Sequence, residues 1–142
     1  MKKLLIITAL LATPMFAQAD VIQERLDSYK AEGASNFSAE AGKKMWTQVL
    51  PFEKKGELFK DRSCATCHNA NPTTPGKHAK TGKIISPMTL GSITVNRKGE
   101  EEKRFSSVKK VEKWFKRNCK WTYGRVCTPQ EKGDFLMYFK SL

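Results

Sequence analysis

The chain is short of acidic side chains, of histidine and of long apolar runs, and each shortage narrows its chemistry. Its 142 residues hold 14 Asp and Glu against 26 Lys and Arg, for a formal charge of +12. That excess suits an acidic protein or an anionic surface as partner, or serves solubility alone. With only two histidines, any imidazole ligand is His68 or His78. No run is long and apolar enough to span a bilayer. The one apolar stretch, residues 4–11, is short, follows Lys2 and Lys3, and precedes Ala17-Gln18-Ala19. That order is an export signal cleaved after Ala19, against the rival reading of an uncleaved anchor. Residues 1–19 are therefore read as a signal peptide and residues 20–142 as one exported domain. A bacterial periplasm is the expected compartment, and nucleic acid is not an expected partner. There is no internal repeat and no βαβ alternation, so a thioredoxin-like redox domain is disfavoured.

What the chain does contain is Cys64-Ala65-Thr66-Cys67-His68. C-x-x-C-H is the attachment sequence of a c-type haem. Two thiols one helical turn apart add to the two porphyrin vinyl groups, and the following imidazole faces the iron as proximal ligand. One motif implies one covalent haem c. A zinc site would need Cys119 and Cys127 as its second pair, and their gap is long for a zinc knuckle. Covalent haem also suits export, because it is attached outside the bacterial cytoplasm, and it supplies a small domain with a large apolar core group.

The rest of the chain reads as all-α with a small β-hairpin insertion. Residues 21–33 form a first helix, with Val21, Ile22, Leu26 and Tyr29 as its apolar face and Gly33 as its stop. Ser38 caps a second helix carrying Gly42, Met45, Trp46 and Val49, interrupted by Pro51. Residues 52–61 offer a further helical stretch, and residues 71–83 a loop rich in Pro, Gly, Thr and Lys. Residues 92–102 suggest a hairpin around Arg97-Lys98-Gly99, with residues 100–104 as a solvated charged run. Ser107 opens a helix whose stripe is Val108, Val111, Phe115 and Asn118, with Trp114 at its border. Residues 119–127 read as a short loop. Thr128-Pro129-Gln130-Glu131 is a capping box with Pro at the first helical position. The last helix buries Phe135, Leu136, Phe139 and Leu142. A small exported helical chain with C-x-x-C-H near its first third suggests the class I cytochrome c architecture. There Gly42 would let two terminal helices cross closely.

The sixth position of the iron has several candidates. Met88 follows Pro87 in a loop after the haem motif, at a spacing that is short for a cytochrome methionine. Asn118 is a polar residue on an apolar stripe near the expected end of its helix, where Asn also serves as a left-handed terminator. His78 lies in a basic loop, and Met137 faces away from the last helix's stripe. On pattern alone Met88 and Asn118 are equal, with His78 behind them.

Thr81-Gly82-Lys83, Pro87-Met88, residues 111–119 with Arg117-Asn118-Cys119, and Gly124-Arg125 followed by Cys127-Thr128-Pro129 and Glu131-Lys132 together resemble the sphaeroides haem protein family. The resemblance covers nearly all of residues 20–142. It implies a class I-like monohaem cytochrome c with His68 as proximal ligand and Asn118 as an asparagine sixth ligand. It further implies that Asn118 leaves on reduction, so that the ferrous haem binds oxygen or nitric oxide. The implied electron donors are a dihaem cytochrome c and, behind it, a membrane b-type cytochrome, and a nitric oxide dioxygenase role has been proposed for the family. Cys119 and Cys127 match the family disulfide, which an exported chain permits. Residues 97–104 depart from the family pattern and would alter the partner surface. The ligand chemistry agrees with the resemblance: an amide is a hard, weak ligand that prefers Fe(III), whereas a thioether keeps Fe(II) closed, as an electron shuttle with His68–Met88 ligation requires.

Overall fold

The computed structural model describes residues 16–96 and 98–142. Residues 1–15 of the expected export signal, and Arg97 of the expected insertion, lie outside the described residues. Five helices appear among them: α1 (Phe16–Ala31), α2 (Ala39–Thr47), α3 (Ala65–His68), α4 (Val108–Tyr123) and α5 (Pro129–Lys140). No helix among the described residues is long and apolar enough to cross a membrane.

The ends of these helices follow from local chemistry. Ser38 Oγ accepts the Ala41 N–H at 3.2 Å and opens α2. Thr128 Oγ1 accepts the Glu131 N–H at 3.2 Å while the Glu131 carboxylate takes the Thr128 N–H at 2.8 Å, closing the capping box of α5. Helices α2 and α5 cross at Gly42, where any Cβ would collide with the Asp134 carbonyl and the Tyr138 side chain. The expected close crossing is therefore present. Ile22, Leu26 and Tyr29 of α1, Trp46 of α2, Val111 of α4 and Phe135, Leu136 and Phe139 of α5 form the core. Glu112 ties three helices together, because it accepts hydrogen bonds from Tyr29 of α1 and, at 2.9 Å, from Lys132 of α5.

Several expectations need correction. Residues 52–61 are an antiparallel ribbon, β1 (Phe52–Lys54) with β2 (Glu57–Phe59). Lys55 and Gly56 both adopt positive φ, 56° and 77°, which is the turn a two-residue hairpin needs. The cross-strand pair Phe52 and Phe59 stacks at 5.1 Å, and that contact outweighs a weak helical pattern. A second ribbon pairs β3 (Gly76–Lys77) with β4 (Ile84–Ile85) inside the Pro- and Gly-rich loop. The expected hairpin is the third, β5 (Ile93–Val95) with β6 (Glu101–Lys103). Its charged run is not wholly solvated, since Arg104 is half-buried. Residues 119–127 are not all loop: α4 continues to Tyr123 and stops at Gly124 in the left-handed region, φ 70°. Asn118 therefore lies inside the helix and is no terminator. Leu142 is exposed, and Tyr138 takes the buried place expected for it.

Candidate haem site

Helix α3 is a single turn with Cys64 at its N-cap. The N–H groups of Cys67 and His68 both bond the Cys64 carbonyl, at 3.3 and 3.1 Å. This sets Cys64 and Cys67 three residues apart on one face, with His68 directly after them. Asn69, at φ 71°, ends the turn. The next segment packs hard against it, because a Cβ on Gly76 would collide with the Cys67 carbonyl. Trp46 closes the other flank: its indole N–H donates to the Asn69 carbonyl at 2.8 Å, and its ring lies 5.4 Å from the His68 imidazole.

The electrostatics favour ligation. Burial pushes the His68 imidazole down to about 4, helped by the charges of Arg104 and His78. It is thus neutral, the form that binds a metal. Its Nδ1 is buried without a hydrogen-bond partner, an orphan polar atom of the kind functional sites retain. Cys64 and Cys67 are both free thiols. Burial raises the Cys64 thiol to about 11. Its Sγ sits 3.7 Å from the Tyr123 hydroxyl, which donates to the Met45 carbonyl at 2.7 Å. Cys67 Sγ accepts the Ala79 N–H at 3.4 Å. Two free thiols on one turn beside a neutral imidazole fit a covalent haem c and its proximal ligand. A cysteine-only zinc site does not assemble. Cys119 and Cys127 are bonded to each other with Cα atoms 5.6 Å apart, and no cluster of three metal-ligating side chains occurs among the described residues.

The remaining candidates are distributed unequally. Asn118 is exposed on α4, one residue before the buried Cys119. Tyr123, which touches Cys64, is five residues further along the same helix, about 7.5 Å in rise. Trp114 and Trp121, four residues before and three after Asn118 on the helix, are also substantially exposed. Met88 is half-buried against the core, and its N–H is tied to the Pro72 carbonyl at 2.7 Å. His78 sits in an exposed turn, with Nδ1 accepting the N–H groups of Thr81 and Lys80 at 3.1 and 3.3 Å. Met137 is half-buried against the core.

Two neighbours of the motif escaped the sequence pattern. Tyr123 was hidden by reading residues 119–127 as loop, although Gly124 is a regular C-terminal signal that extends the helix past it. Arg62, two residues before Cys64, bridges the β1–β2 ribbon to α4. Its guanidinium lies 3.8 Å from the Phe59 ring and 4.6 Å from the Trp121 ring, and it donates to the Trp121 carbonyl at 3.1 Å.

Comparison with known proteins places the chain in a group. The family described as a domain of unknown function, DUF1924, matches residues 32–139. The cytochrome c-type protein SHP of Cereibacter sphaeroides is 33% identical over 138 residues, 97% of each chain. The structure of oxidized SHP, described as an oxygen-binding cytochrome c, superposes with a TM-score of 0.66 at 30% identity, over 85% of this chain and 96% of that one. The solution structure of cytochrome c'' from Methylophilus methylotrophus, described as giving insight into haem-ligand detachment, superposes with a TM-score of 0.60 at 28% identity, over 88% of this chain and 93% of that one.

Proposed function

Because the chain belongs to the sphaeroides haem protein family, helical cytochromes c with one covalent haem c, we propose that it is an exported cytochrome that binds oxygen or nitric oxide at a position vacated by Asn118. The likeness to SHP along 97% of both chains carries this reading. The haem, when bound, supplies the redox-active iron and the ligand position. The chain does the rest. Cys64 and Cys67 would hold the cofactor through thioethers, and His68 would be its permanent ligand. Asn118 would offer a hard amide oxygen, which would suit the ferric state better than the ferrous. Met88 stays with the core and does not compete.

The export signal is removed after Ala19, and the protein works in the periplasm. Electrons arrive from a dihaem cytochrome c or another acidic redox protein, fed in turn by a membrane b-type cytochrome. A nitric oxide dioxygenase reaction is the enzymatic extension of this reading. Lys109, Lys113, Lys116 and Lys120 are exposed on α4 and would steer such a partner. Lys110 and Arg125 contribute less charge, since Glu102 and Glu131 pair with them at 2.7 and 2.6 Å.

The test is optical. The ferric protein should lack a methionine-to-iron charge-transfer band, and the ferrous protein should be five-coordinate and bind carbon monoxide. Met88→Leu should leave both spectra unchanged. A low-spin ferrous protein that ignores carbon monoxide, and whose spectrum collapses in Met88→Leu, would make the protein an electron shuttle.

A further inference from the structure

Tyr123 is a buried phenol to which haem attachment gives no part, and three elements meet at it. It stands in the last turn of α4 and is 4% exposed. Its hydroxyl donates to the Met45 carbonyl at 2.7 Å. Met45 lies near the end of α2, where carbonyls lack donors within the helix, and the Gln48 N–H reaches the same carbonyl at 3.3 Å. The Tyr123 oxygen is also 3.7 Å from Cys64 Sγ. A hydroxyl has one proton, here committed to Met45, and a thioether has none to give. The bond to Met45 is therefore the one that survives haem attachment, with the sulfur packed beside it. Met45 precedes Trp46, whose ring lies against His68. Tyr123 thus joins α4 to both elements that frame the attachment turn: α2 through Met45, and the turn itself through Cys64.

Two further contacts hold this end of α4. Arg62 donates to the Trp121 carbonyl at 3.1 Å, and Cys119 is bonded to Cys127. Neither involves α2. Earlier in α4, Glu112 ties the helix to α1 and α5 instead. Asn118 precedes Tyr123 by five residues, which places the two side chains about 140° apart around the helix axis. Tyr123 can act on Asn118 only through the helix backbone between them. On the reading that Asn118 is the exchangeable ligand, we propose that Tyr123 is a positioning residue for that exchange. Its hydroxyl fixes the end of α4 to the elements carrying Cys64 and His68, and so sets where Asn118 stands relative to them.

The test times imidazole binding to the ferric holo protein by stopped-flow absorbance. It compares wild type, Tyr123→Phe, Asn118→Ala and the double variant. Phenylalanine keeps the ring and removes only the hydroxyl. Tyr123→Phe should speed binding roughly two- to fivefold, the scale of one net hydrogen bond. In the Asn118→Ala background it should add nothing, because the effect passes through Asn118. A wild-type rate in Tyr123→Phe, whatever its melting temperature, would make Tyr123 a core residue only and overturn the proposal. An equal acceleration in both backgrounds would bypass Asn118 and overturn it too. Asn118→Ala binding imidazole no faster than wild type would instead end the reading of Asn118 as ligand, and the proposal with it. Should Tyr123→Phe fail to accumulate with haem, hydrogen exchange in the wild type decides. The amides of residues 119–123 should stay equally protected in the ferric and ferrous forms. Loss of that protection on reduction would mean that the helix end itself moves, and would overturn the proposal.

Discussion

The His68 side and the Asn118 side of this protein are built differently. His68 is enclosed: Trp46 lies against it at 5.4 Å and is itself 2% exposed, Gly76 packs behind it, and the helix turn that carries it is pinned at both ends. Asn118 is exposed on the outer border of α4, with no side-chain hydrogen bond among the described residues. A side chain surrounded by packing stays where it is, because moving it opens a cavity. One with few contacts can leave at little cost. What holds the Asn118 side lies beyond that residue: the Cys119–Cys127 disulfide and the Arg125–Glu131 pair anchor the end of α4. The asymmetry suits a protein with one permanent and one exchangeable ligand.

The largest effect should come from the closed side. Trp46→Ala removes a buried indole, its bond to Asn69 and the wall of His68, and should cost about 3–5 kcal/mol. Denaturant unfolding of the holo protein measures this. A loss below about 1 kcal/mol would mean the enclosure is not what secures His68.

Asn118→Ala should cost less than about 0.5 kcal/mol, as expected at an exposed helical site. It should nevertheless speed the binding of cyanide or imidazole to the ferric protein, read by stopped-flow absorbance. Ligand binding as slow as in the wild type, or a stability loss comparable to that of Trp46→Ala, would break the comparison.

The smallest effect concerns the anchor of α4. The Arg125 guanidinium holds the Glu131 carboxyl below its ordinary value, and the Thr128 N–H adds to this against the opposing effect of burial. A carboxyl lowered by folding stabilises the native state above the ordinary carboxylate range. That contribution is lost as the pH falls through the folded value. Arg125 is 45% exposed, so solvent weakens the pair, and Glu131→Gln should cost only about 0.5–1 kcal/mol at pH 7. The difference between wild type and variant should shrink on acidification, as thermal melts across the acid range would reveal. A constant difference would assign the effect to the cap geometry alone.

Much of the scaffold was legible because its signals are local. Gly42 and Trp46 stand one turn apart, Thr128 to Glu131 spell a capping box, and Ser38 precedes an apolar run; each acts within a few residues. The β1–β2 ribbon was not legible, because Lys55-Gly56 is a weak turn sequence and the stacking of Phe52 on Phe59 becomes decisive only once the strands pair. The length of α4 was misjudged because Cys119 and Cys127 suggested a loop, while Gly124 marked the true end.

At the proposed site, the spacing of Cys64, Cys67 and His68 points to haem attachment by itself, since one helical turn defines their geometry. Tertiary structure alone decided that Tyr123 meets Cys64 and Met45. It also decided that Met88 is tied to Pro72 while Asn118 stays exposed. Those outcomes depend on contacts between segments separated along the chain by far more than a helical turn. Burial and hydrogen bonding between elements belong to such contacts, so no local pattern in the chain can encode them.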